Sequence, residues 1–214
     1  MKIASTATGW VVWNLFLAFV PVALAQVIYW MVGRAKEKRP LLLPAAVLGV
    51  VWLVFLPNTC YLLTEWRHFL FNLDVRNLYL QSQADSGMRL RLMIYTAFYA
   101  CYSGVGLLAF ALAVRPIARL AKQSGATMWV YGTPLFLLSS VGVYLGLKPR
   151  FNSWEFVQRP WEIWASAAGL ARNPMLAGLA VAFGGFLWLA YVAIDIWIDG
   201  LLSRCSGLRS GRRA

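Results

Sequence analysis

The sequence is short of charge. Asp, Glu, Lys and Arg make up 13% of its 214 residues, against roughly 25% in a soluble domain of this length. Acidic residues are scarcest, with eight in all, and His68 is the sole histidine. The three cysteines, Cys60, Cys101 and Cys205, form no Cys-x-x-Cys pair and no metal-ligand spacing. Cys101 lies inside an apolar run and Cys205 in the C-terminal segment, so all three read as small apolar residues and not as disulfide partners. No nucleophile motif, nucleotide-binding motif, internal repeat or low-complexity linker is present. Strand-like alternation is missing too, which excludes a β-barrel.

What fills the space is hydrocarbon: 60% of the chain is hydrophobic, with eleven Trp, nine Tyr and twelve Phe. A spanning helix needs about 20 largely apolar residues, and five stretches supply them. They are Trp10 to Val32, Leu41 to Leu63, Leu92 to Val114, Met128 to Leu147, and Met175 to Ile198. The expected fold is all-α, a polytopic transmembrane bundle of about five spans in a single unit over residues 1–202. A basic, mobile cytoplasmic tail is expected at 203–214, because small and basic residues bury too little surface to order themselves. Ala23-Leu24-Ala25 resembles a signal-peptide cleavage site. The apolar run nevertheless continues to Val32 and is followed, not preceded, by a cluster of basic residues, which favours a retained span.

The net charge of +12 does not point to nucleic acid, since the basic residues lie between apolar runs and not on one soluble face. They set orientation instead. Segments 33–40, 115–127 and 199–214 hold eleven Lys and Arg; the longer total of 1–9, 65–91 and 148–174 holds nine. Five of the eight acids also fall in the second set. The expected orientation has the N-terminus outside and the C-terminus inside. Either way, loops 65–91 and 148–174 are separated by two spans and emerge on one side.

Those loops carry the candidate chemistry. The second span runs into Pro57-Asn58-Thr59, where proline removes a backbone donor and polar neighbours can satisfy freed carbonyls. This is either a broken helix opening a polar pocket or an ordinary kink; in both cases Asn58 should face the bundle. Trp66, Phe69, Leu70, Leu73 and Leu80 recur at helical spacing, as do Trp161, Trp164 and Ala168, which suggests short helices in the membrane interface. The candidate polar site is Asn58, Glu65, Arg67, His68, Arg150, Asn152, Trp154 and Glu155. Carboxylates with a histidine can move protons and arginines can grip phosphate or carboxylate; equally, the same groups can staple the loops together. Arg150 should pair with Glu65 or Glu155, and Asn152 or Trp154 should pack near the Pro57–Tyr61 turn. Glu65 and His68 have a Glu-x-x-His spacing, but the second motif of a carboxylate-bridged metal site is missing, so neither metal nor other cofactor is expected. Asp195, the one acid well inside a span, is expected to reach the interface or pair with a basic residue there, such as Arg34 or Arg204.

Three motifs together carry a family resemblance. Asn14-Leu15-Phe16-Leu17-Ala18-Phe19-Val20-Pro21 is the first. The second runs from Trp52 through Phe55-Leu56-Pro57-Asn58 to Tyr61-Leu62-Leu63-Thr64, and the third joins Tyr144-Leu145-Gly146 to Arg150-Phe151-Asn152-Ser153-Trp154-Glu155. They resemble the bacterial multi-pass membrane family catalogued as domain of unknown function 1361, over about residues 10 to 198. The chain departs from that pattern at Thr59-Cys60, where Ala-Pro is usual, and at Glu155, where Asp is usual. The resemblance implies a polytopic bacterial membrane protein and supplies no activity; the expected location is the inner (plasma) membrane. The expected role is structural or accessory, in contact with membrane lipids and a membrane protein partner. The alternative is an enzyme or binding protein for an anionic lipid-linked substrate at the outer interface. A transporter ranks below both, for want of mid-span charge or repeated halves.

Overall fold

Residues 2–35, 39–66, 70 and 75–210 are described in the computed structural model. Helix α1 spans Lys2–Ala35, and a 3-10 turn at Arg39–Leu41 leads to α2 (Leu42–Phe55) and α3 (Pro57–Thr64). Then come α4 (Val75–Ala84), α5 (Ser86–Gln123), α6 (Met128–Leu147), the single turn α7 (Glu155–Gln158), α8 (Pro160–Arg172) and α9 (Pro174–Ser210). No strand occurs among the described residues. Five units are long and apolar enough to cross a membrane: Gly9–Ala35, Leu42–Thr64, Ser86–Gln123, Met128–Leu147 and Pro174–Cys205. Helices suit that setting because each satisfies its own backbone polar groups without water.

Three helices run past their expected spans: α1 begins at Lys2 and not at Trp10, and α5 and α9 extend further. Helix α5 takes in residues on both sides of the expected span, from Ser86 to Gln123. At about 1.5 Å per residue it is about 57 Å long, well beyond the roughly 30 Å of a hydrocarbon core. The Asp85 carboxylate accepts the Gly87 N–H at 2.7 Å and caps its start. Gly125, at φ 82°, lies in the turn beyond its end. Helix α9 likewise runs on to Ser210, through residues expected in a mobile tail. Extending an existing helix avoids the nucleation cost that an isolated segment meets, so burial is not needed there; residues 211–214 lie outside the described residues.

All five spanning units feed one core. Ala25 and Ile28 of α1, Leu56 and Cys60 at the α2–α3 joint, Phe110 and Val114 of α5, Phe136 of α6, and Leu187 and Tyr191 of α9 are buried together. Outward sit Val50, Ile94, Leu189 and Ile196, all exposed; such a large apolar surface belongs against lipid. The bundle centres on the short helix α3, which packs against α1, α5 and α6. Cys60 is buried inside this junction, whereas Cys101 and Cys205 are exposed.

Pro57 does mark a joint. Helix α2 stops at Phe55 and α3 begins at Pro57, yet Leu56 keeps helical angles, φ −55° and ψ −41°. The Leu56 carbonyl accepts both the Thr59 N–H at 3.2 Å and the Thr59 hydroxyl at 2.8 Å. The joint is therefore tightened, with polar atoms paired locally, and Asn58 faces the bundle at 5% exposure.

Candidate functional site

Helix α3 fits where it does because its neighbours lack side chains at the contact. On α5, a Cβ at Gly106 would lie 2.8 Å from both the Leu62 Cβ and the Thr59 carbonyl oxygen. On α6, a Cβ at Gly142 would collide with the Pro57 ring, and one at Gly146 with the Tyr61 hydroxyl. Gly142 and Gly146 form a Gly-x-x-x-Gly pair, the spacing that lets helix backbones approach closely in membranes. The Tyr61 hydroxyl donates to the Gly142 carbonyl at 3.2 Å. At its far end α3 is held by Trp66, whose indole N–H donates to Ser103 Oγ at 2.8 Å.

The second loop closes over this junction. Arg150 sits at φ 62°, the left-handed region that non-glycine residues seldom occupy. There the chain turns off α6, and the Phe151 N–H reaches back to the Leu145 carbonyl at 3.1 Å. The next residues satisfy one another. Asn152 donates its backbone N–H at 2.7 Å and its side-chain amide at 3.2 Å to one Glu155 oxygen, and the Glu155 N–H returns to the Asn152 carbonyl at 3.0 Å. This is the reciprocal logic of a capping box. Glu155 also lies 3.8 Å from Arg159, which in turn lies 3.6 Å from Glu162. Between loops, the Asn58 side-chain amide donates to Ser153 Oγ at 2.9 Å across 95 positions of sequence.

The staple leads into α8, which buries Ile163 and Leu170 against the bundle. The Trp161 and Trp164 side chains stay 83% and 72% exposed. Between α8, the α2–α3 joint and α6 lies a groove of about 540 Å³. Leu53, Val54, Leu138 and Val141, from the middle of their spans, line its apolar end; Tyr61, Asn152 and Ser153 are its polar side chains.

The expected polar site is thus divided. Asn58, Asn152 and Glu155 join one network through Ser153, and Asn152 shares the groove wall with Pro57 and Tyr61. Glu65 is buried at 8% exposure beyond the end of α3. Arg150 is exposed and pairs with neither Glu65 nor Glu155; Glu155 pairs with Arg159 instead. The chain turns off α6 at Arg150, leaving its side chain exposed, while the closer Arg159 takes the Glu155 carboxylate. Trp154 is 44% exposed and does not line the groove. Arg67 and His68 lie outside the described residues. Among the described residues no cluster of three His, Cys, Asp or Glu could hold a metal ion.

A second polar cluster lies at the opposite end of α5. Arg115, placed by the sequence reading in a loop, is buried at 6% exposure inside the long helix. It pairs with Asp195 at 2.9 Å and with Asp199, and donates to the Asp195 carbonyl at 3.2 Å. Asp195 therefore has the basic partner expected near the inner end of its span, and that partner is Arg115. The signal was available: α5 and α9 each carry a charge near the same membrane level, and an intramembrane charge needs a partner.

A bundle of five membrane-spanning helices, with a short amphipathic helix laid over one seam, defines a multi-pass membrane protein of the all-α class. Within that class, the chain belongs to the family described as "Protein of unknown function (DUF1361)", whose model matches residues 13–190. The matched stretch contains every groove residue, whereas Asp195 and Asp199 fall beyond it. No curated protein and no solved structure matches the chain.

Proposed function

We propose that the chain is a membrane accessory protein whose two-loop polar site is a scaffold and not a catalytic centre. The observation that carries this is the Asn58–Ser153 hydrogen bond, together with the self-contained Asn152–Glu155 turn. The motif's polar atoms are spent on one another and on fixing α8, with no nucleophile paired to a base along the groove. In this reading the bundle sits in a bacterial plasma membrane, N-terminus out, with the staple at the outer face and a membrane protein partner against the exposed α7–α8 surface. The Lys and Arg distribution supports the orientation. Purification in mild detergent should recover that partner in stoichiometric amount; an active, solitary protein would count against the accessory role.

A double-mutant cycle tests the scaffold. Asn58→Ala and Ser153→Ala should each lower stability in detergent by about 1–2 kcal/mol, the cost of losing a part-buried hydrogen bond. The double variant should lose less than the sum, since the two partners act as a unit. Additive losses would sink the scaffold reading. The groove favours a second reading, a binding site for an anionic lipid-linked molecule.

A further inference from the structure

The walls of the groove beside α8 define the chemistry of what would fit it. Its apolar end, Leu53 and Val54 of α2 with Leu138 and Val141 of α6, belongs to the middle of two spanning units, so the surrounding medium there is hydrocarbon. From Leu145 to Leu138 it follows α6 for about 10 Å, at 1.5 Å per residue. Its volume of about 540 Å³ falls within the range of small-molecule sites, roughly 300–1,000 Å³. A protein helix is about 10–12 Å across with its side chains and would need more room over that length, which argues against a second copy of the chain. The polar side chains Tyr61, Asn152 and Ser153 are already engaged with Gly142, Glu155 and Asn58. Little remains in the groove to hold a polar molecule, and much to hold a chain of methylenes.

The loop at the groove's polar end, residues 148–160, carries Lys148, Arg150 and Arg159 against the single acid Glu155. Lys148 and Arg150 are exposed, and the Arg159 side chain is 54% exposed, with its guanidinium 3.8 and 3.6 Å from its two carboxylates. Trp161 and Trp164 line the same groove with most of their surface outward, the placement of rings that collect at the headgroup level. Hydrocarbon below, indoles at the rim and excess positive charge above match one class of molecule.

We infer that the groove between the α2–α3 joint, α6 and α8 binds one anionic phospholipid. An acyl chain lies along Leu138 to Leu145, and the phosphate sits against the 148–160 loop. The assignment rests on α8 being held in place by the polar staple. It goes further by naming the ligand and its orientation.

The test uses the full chain purified in detergent, with dioleoyl phosphatidylglycerol and dioleoyl phosphatidylcholine as probes, read by native mass spectrometry and by lipid-dependent shifts in melting temperature. One phosphatidylglycerol should be retained about tenfold more tightly than phosphatidylcholine. Leu138→Trp, which fills the groove from a half-exposed position, and Ala167→Phe should each reduce retention of both lipids about tenfold. Arg150→Gln with Arg159→Gln should abolish the preference for phosphatidylglycerol while leaving acyl-chain retention intact. Leu43→Trp, on an exposed position away from the groove, should change nothing. Equal retention of the two lipids by the wild type, or wild-type retention by a folded Leu138→Trp variant, would overturn the assignment. If Ala167→Phe fails to fold, Leu138→Trp still decides. Failure of the staple shows separately, as an additive Asn58–Ser153 cycle.

Discussion

Glycine and arginine do the least expected work at the scale of single residues. Gly142 and Gly146 are required where Pro57 and Tyr61 press against α6. Gly146→Ala should therefore lower the melting temperature in detergent, by the equivalent of about 1–3 kcal/mol, the usual cost of overpacking. Gly178→Ala, with open space around its Cβ position, should not. Arg150 makes the opposite prediction. A left-handed non-glycine residue costs about 1–2 kcal/mol, while glycine adds a smaller entropic penalty. Arg150→Gly should thus keep or raise the melting temperature, and a clear fall would restore a structural ion pair at Arg150. Neither role was legible from residue type. The sequence marked Arg150 as a charge, but its function in the fold comes from its φ angle. The glycine pair stood in view at 142 and 146, yet its meaning depended on knowing that Pro57 and Tyr61 lie opposite.

Among the elements, α3 and α8 are set by partners far away in sequence, and α5 and α9 are tied together by Arg115 with Asp195 and Asp199. Hydropathy marked the five apolar runs because each needs only its own composition. It could not place the ends of α5 or α9, since a helix leaves the hydrocarbon without a change in backbone bonding. That is why Arg115 looked like a loop residue and is in fact buried beside Asp195. Removing it should be severe: Arg115→Ala strands Asp195 in a low-dielectric setting and should cost about 3 kcal/mol. Asp199 is 63% exposed at its side chain, so Asp199→Ala should cost about 1 kcal/mol or less. Thermal melts of the two variants check the contrast; equal losses would mean that Arg115 is not held chiefly by Asp195. The staple residues were partly legible. Asn58 and the 152–155 turn were named from polarity and shared topology, but the Ser153 contact needed coordinates.

At the scale of the whole molecule, five spans put the segments before the first and after the last on opposite sides of the membrane, and the orientation proposed above has the N-terminal side out. A reporter fused after Ala214 should be active only in the cytoplasmic form; activity only in the exported form would reverse the proposed orientation while leaving the bundle intact. The positions of the three cysteines also give the molecule a built-in chemical readout. Cys60 lies sealed at the centre of the junction, Cys101 is exposed on a spanning helix, and Cys205 is exposed near the end of α9. Thiol reagents act on the thiolate, which forms readily only in water. A water-soluble maleimide should therefore label the intact protein once, at Cys205. A second label on Cys60 would report the lifting of α3 from its glycine seat, without any engineered probe.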